Sequence, residues 1–131
     1  MPTPSRIFAC VGRTVHAIDQ QTGAIIWETP IAAGRTQMVV HQDRVYVASE
    51  TGSLEILNAD TGTLLKTVPI SGRGHAATIL IEDETVFVSC GGELSAFDLN
   101  GTQLWANNFK GKGNGTLSLA TTQRDRQADE Y

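Results

Sequence analysis

The chain has 131 residues, 40% of them hydrophobic and 18% charged, with ten Lys and Arg against fourteen Asp and Glu for a formal charge of −4. So few cations argue against general duplex nucleic-acid binding, which needs dense basic surface to displace counterions from phosphates. No apolar run reaches the roughly 18 residues of a membrane span, and the length supports one domain with a modest core.

In chain order, short runs rich in Val, Ile, Leu, Phe and Thr alternate with Gly, Asn and Asp turns, and no window of about 11 residues carries helical periodicity. The predicted strands are RIFACV, TVHAID and IIWETPI, then QMVVHQ, RVYVAS, SLEILN and LLKTVPI, then ATILIE, TVFVSC, ELSAFD and QLWANN, and finally TLSLAT. That is an all-β chain of twelve strands. The start Met-Pro-Thr-Pro-Ser-Arg places no long apolar segment ahead of a cleavage site, so an unprocessed, cytoplasmic protein is expected. The closing residues 122–131 are polar and read as a tail, and residues 1–5 as a lead.

Three segments superpose, beginning at Arg6, Val45 and Val86. Gly23, Gly62 and Gly101 lie 39 apart each time, as do Trp27, Lys66 and Trp105, and Ile18, Leu57 and Phe97 are 39 and then 40 apart. Strands repeating at about 40 residues point to propeller blades rather than a helical array. The repeats run 6–44, 45–85 and 86–121. Thr22-Gly23, Thr61-Gly62 and Asn100-Gly101 mark strand reversals, where glycine supplies a positive φ without steric cost. Asp19, Asn58 and Asp98 just before them are expected to cap those turns, because the spaced oxygen ladder of a calcium loop is missing.

The pattern Val45-Tyr46-Val47, then Leu94-Ser95-Ala96-Phe97-Asp98, then Thr22-Gly23-Ala24-Ile25-Ile26-Trp27 and Asn100-Gly101-Thr102-Gln103-Leu104-Trp105, resembles the pyrroloquinoline-quinone-like repeat of β-propellers. The resemblance covers residues 6 to about 120, with Lys66 departing from the tryptophan of the other copies. It implies four-stranded blades ordered A to D from the ring's axis outward. In the large dehydrogenases of that family it further implies a quinone beneath adjacent, disulfide-linked cysteines and beside a calcium ion. Cys10 and Cys90 are 80 positions apart and form no vicinal pair or metal-spaced set. They read as small core residues, and neither cofactor nor metal is expected.

Propellers close with about four to eight blades, and three repeats fall short. The first copy opens at RIFACV, a B strand, while TLSLAT at 116–121 falls where an A strand belongs. The expectation is a homodimer, two chains forming a six-bladed ring with each TLSLAT completing the other chain's first blade and leaving no open edge; the alternative is that the chain is a piece of a longer propeller.

In that orientation the D-to-A loops carry a cation beside glycine in every copy: Gly34-Arg35-Thr36, Gly72-Arg73-Gly74-His75 and Gly111-Lys112-Gly113-Asn114. The same face holds Arg13 and Lys110 against Glu50 and Glu93. The opposite face collects Asp19, Asp43, Asp60, Glu82, Asp83, Glu84 and Asp98 against Arg44. Open backbone N–H groups and focused positive charge favour an anion, so Arg35, Arg73, His75, Lys112 and Asn114 are the candidate ligand-binding residues, for an anionic small molecule or acidic peptide. His16 and His41 read as a strand residue and a residue near a turn. No nucleophile-base-orienter set or P-loop appears, so no catalytic residue is assigned. The expected function is a non-enzymatic binding or scaffolding propeller; the alternative is an enzyme whose site forms only in the assembled ring.

Overall fold

The computed structural model describes residues 5–31, 36–70, 77–109 and 119–120. Eleven strands make three antiparallel sheets, each a simple meander. The first holds β1 (Arg6–Val11), β2 (Thr14–Asp19) and β3 (Ile25–Pro30). The second holds β4 (Thr36–His41), β5 (Arg44–Ser49), β6 (Ser53–Asn58) and β7 (Leu64–Pro69). The third holds β8 (Thr78–Glu82), β9 (Thr85–Cys90), β10 (Glu93–Asp98) and β11 (Gln103–Asn107). Of the twelve predicted strands, eleven are present within a residue or two at their ends. Of the twelfth only Leu119 and Ala120 are described, and they lie in no strand.

Register confirms the repeat. Phe8, Ala17 and Trp27 stand side by side across β1, β2 and β3, as Tyr46, Ile56 and Lys66 do across β5, β6 and β7, and Phe87, Ala96 and Trp105 across β9, β10 and β11. In each sheet the ladder slips by one residue between the last two strands, at Ala17/Ile18, Ile56/Leu57 and Ala96/Phe97. A recurring bulge of this kind strengthens the local twist that a blade needs.

The sheets stack face to face. Because strand side chains alternate between faces, the middle sheet contributes to two cores. Val45, Val47 and Leu57 meet Phe8, Cys10 and Trp27 of the first sheet. Tyr46, Ala48, Leu54 and Ile56 meet Val86, Val88 and Phe97 of the third. Strand β5 is buried along nearly its whole length as a result, whereas β11 is exposed throughout. Strands β4 and β8 touch, which identifies the first strands of their sheets as the inner edge of the arc. Among the described residues the first sheet has no such strand. Beside its bare edge β1 lies a cavity of about 530 Å³, bounded on the other side by β4.

Candidate functional site

Each joint between sheets is built the same way. The turn after β6 is capped by Asn58, whose Oδ1 accepts from the N–H groups of Asp60 and Thr61 at 2.8 and 3.0 Å. The cap turns Ala59 C=O toward the first sheet, where Trp27 Nε1 and the Arg6 guanidinium both donate to it at 2.9 Å. At the next joint the turn after β10 is capped by Asp98, and Leu99 C=O accepts from Tyr46 Oη at 2.9 Å and from Arg44 at 2.8 Å. Burial is the largest influence on the Tyr46 phenol and holds its pKa above the usual tyrosine value. An arginine and an aromatic donor thus fasten the same carbonyl in successive blades.

These turns gather the carboxylates on one face. Between the second and third sheets a cleft of about 310 Å³ is lined by His41, Asp43, Arg44, Glu84 and Asp98 among others. Its counterpart between the first and second sheets, also about 310 Å³, is lined by Arg6, Asp43 and Asp60. Arg6 reaches Asp60 at 3.8 Å, and Arg44 donates to Asn100 Oδ1 at 2.9 Å. Asp83 and Glu84 make the β8–β9 hairpin with φ of 51° and 59°, a left-handed pair that such two-residue turns ordinarily assign to Asn-Gly. Backbone N–H groups hold two carboxyls below the usual aspartate range: those of Gln21 and Thr22 at Asp19, and that of Thr102 foremost at Asp98.

Arg35, Arg73, His75, Lys112 and Asn114 all lie outside the described residues. Their loops join β3 to β4, join β7 to β8, and follow β11. The acidic residues Asp19, Asp43, Asp60, Asp83, Glu84 and Asp98 do fall at the turns of the opposite face, with two corrections. Glu82 is not a loop charge: it ends β8 and is 91% buried, since relative exposure is 9%. Arg44 is not the face's sole cation, because Arg6 stands at the equivalent place in the first blade. Sequence reasoning passed over Arg6, although its position at the head of the first B strand, matching Arg44, was the available signal. His16 faces Glu28 at 3.2 Å across β2 and β3.

Cys10 and Cys90 form no disulfide, one lying in the first sheet and one buried in the third. Among the described residues no group of three or more His, Cys, Asp or Glu side chains is placed to hold a metal ion.

Sheets stacked as an arc, with this register repeat, define a β-propeller of the pyrroloquinoline-quinone-repeat class. The chain belongs to the family described as outer membrane protein assembly factor BamB, whose profile matches residues 11–127. No curated protein matches. Among solved structures it is similar to BamB from Moraxella catarrhalis, with a TM-score of 0.61 and 22% identity over 78% of this chain and 34% of that one. It is similar to the quinohemoprotein alcohol dehydrogenase ADHIIG from Pseudomonas putida, with a TM-score of 0.68 and 20% identity over 79% of this chain and 19% of that one. A europium-containing methanol dehydrogenase gives 0.64 and 17% over 79% and 23%. The chain therefore spans about a fifth to a third of the length of these structures. The expectation of a non-enzymatic protein is corrected by them: two of the three are enzymes, so this fold carries catalysts as well as binding proteins and cannot exclude catalysis.

Proposed function

We propose that the chain is a binding or scaffolding propeller segment that takes an anionic ligand, a small carboxylate or phosphate or an acidic peptide, at the face opposite its acidic turns. What supports the reading is charge segregation. The described carboxylates Asp43, Asp60, Asp83 and Glu84 are exposed at the turns of one face. The D strands β3, β7 and β11 run away from that face, and the glycine-flanked cations Arg35, Arg73 and Lys112 follow them in the chain. His75 and Asn114, in the same loops, would add hydrogen-bonding capacity. Like charges around one opening raise the local concentration of an anion, and an anion bound to the folded form stabilises it by mass action.

A thermal-shift series with phosphate, citrate and a poly-glutamate peptide tests this on the full chain and on an Arg35→Ala, Arg73→Ala, Lys112→Ala variant. The full chain should be stabilised and the variant should not, with the difference shrinking as salt rises. Equal responses of the two proteins to every anion would defeat the reading.

A further inference from the structure

We propose that a second copy of this chain docks its first blade onto the free face of the third blade, seating Trp105 of one copy over Gly23 of the other. The chain already makes this kind of joint twice. At the first, Trp27 lies over Gly62, so closely that a Cβ on that glycine would stand 2.5 Å from Trp27 Cδ2, while Thr29 Oγ1 donates to Gly62 C=O. At the second, Val68, Ile56 and Lys66 lie over Gly101, with Val68 Cγ2 2.8 Å from where a Cβ would be. By register the next member of the series is Trp105, and by the repeat the glycine it would cover is Gly23.

Both halves are present and exposed, with Leu119 and Ala120 of the same chain lying beside Leu80, Phe87 and Leu94 on the third blade's face. Trp105 is 46% exposed, with Phe87 tilted against it at 6.1 Å as Phe8 is against Trp27 at 5.8 Å. Gly23 keeps the left-handed turn of Gly62, with φ of 77° against 79°, yet a Cβ on it would meet nothing within 4 Å. The carbonyl that should receive the Trp105 indole N–H is that of Gln20, the counterpart of Ala59 and Leu99. Gln20 is set in the same way: its N–H donates to Ser5 C=O at 3.1 Å, as that of Ala59 donates to Asp43 C=O at 2.8 Å.

The apolar match agrees. Ile7, 54% exposed on the first blade's outer face, occupies the position at which Val45 and Val86 are 0% exposed in the second and third blades. Val11, 67% exposed, occupies that of Ser49 and Cys90, which are 1% and 3% exposed. A generic apolar partner would explain exposed side chains. It would not explain an indole on one face and a left-handed glycine with its aimed carbonyl on the other, which together reproduce the chain's own joint. One copy offers one of each half, so two copies can make the joint twice. The resulting six blades fall within the usual range for closed rings.

Sedimentation velocity and light scattering on the full chain, from low to high micromolar, should give twice the 14.1 kDa of one chain. Trp105→Ala and Gly23→Asn should each weaken association by about tenfold or more. Asparagine is chosen because it tolerates the left-handed conformation while its side chain occupies the indole's place. Gly12→Asn, in a turn equally open but outside the joint, with φ of 60°, should leave association unchanged. Far-UV circular dichroism reports whether each variant folds; if Gly23→Asn does not, the exposed Trp105 carries the test. A monomer at every concentration overturns the proposal, as does a dimer that both variants leave intact, or a mass that grows without limit as open head-to-tail chains would. The readout is mass and not anion response, so its failure is separable from failure of the anion-binding reading.

Discussion

The two internal joints carry out one task with different side chains. At the first, an indole fills the space over Ala17 and donates to Ala59 C=O. At the second the indole is replaced by Lys66, the alanine by Ile56 and the phenylalanine by Tyr46. Ile56 is 1% exposed and supplies the lost apolar volume, and the Tyr46 hydroxyl supplies the lost donor. The three changes belong together: a tryptophan beside Ile56 would overfill the joint, and a lysine beside alanine would leave a hole. The repeat therefore preserves a volume and a hydrogen bond, not a residue type, and the backbone carbonyl is the constant element around which side chains vary.

The largest test of that comparison is at Trp27. Trp27→Ala removes the apolar body of the first joint and one donor to Ala59 C=O, and should cost roughly 3 kcal/mol, at the lower end for buried aromatics because the residue is half-buried. Trp105→Ala, measured by urea denaturation at a concentration where the chain is monomeric, should cost far less, since its counterpart joint is open within one chain. Equal losses would mean that the tryptophans act inside their own sheets and not at joints.

Next in size is the exchange of one joint's solution for the other's. Ile56→Ala alone should cost about 2 to 5 kcal/mol as a core truncation, and Lys66→Trp alone should destabilise by overpacking, by about 1 to 3 kcal/mol. Made together they recreate the alanine–tryptophan arrangement of the first joint. The double variant should lose less than the sum, with a coupling of about 0.5 to 3 kcal/mol. Strict additivity would show that the two positions vary independently.

A comparison of equivalent glycines follows. Gly62→Ala and Gly23→Ala share the cost of a left-handed alanine, about 1 to 2 kcal/mol. Only the former drives a methyl group into the indole and the Thr29 hydroxyl, so its melting temperature should fall further. If the two shifts coincide, Trp27 is free to move aside.

Much of this architecture was legible in the sequence. The spacing of Gly23, Gly62 and Gly101 fixed the period, because a left-handed turn admits few residues and so leaves a sharp mark. β-branched runs between such turns located strands such as RVYVAS and TVFVSC to the residue. Strand ends beside proline and loop residues were a residue off, since the last ladder bonds depend on a neighbour strand that composition does not reveal. Most of the expected twelfth strand, TLSLAT, lies outside the described residues, and the two of it that are described, Leu119 and Ala120, are in no strand. They sit beside Leu80, Phe87 and Leu94 on the third blade's outer face. The candidate site was less legible. Charge sorting found the acidic turns, but not that Arg6 and Arg44 are held by backbone carbonyls, nor that Glu82 turns inward. Those facts depend on which way a strand's first or last residue turns.

The smallest expected effect separates the turns themselves. Asp19, Asn58 and Asp98 perform the same capping, each accepting from N–H groups two to four residues ahead. Only the two aspartates titrate. Their pKa values are lowered in the folded chain, chiefly by backbone hydrogen bonds. A carboxyl with a depressed folded pKa contributes stability that is complete above its unfolded value, near pH 4, and is lost as pH falls through the folded value. Protonation leaves each cap with a weaker acceptor, whereas the Asn58 cap is indifferent to pH. The Asp19→Asn, Asp98→Asn variant should therefore show a shallower decline of urea-denaturation midpoint between neutral pH and about pH 3 than the unaltered chain. At neutral pH it should be slightly less stable, because an amide accepts less strongly than a carboxylate. Asn58→Asp should do the reverse, steepening the acid decline. Were the acid limb identical in all three proteins, the caps would contribute equally in either charge state, and acid sensitivity would have to arise elsewhere in the molecule.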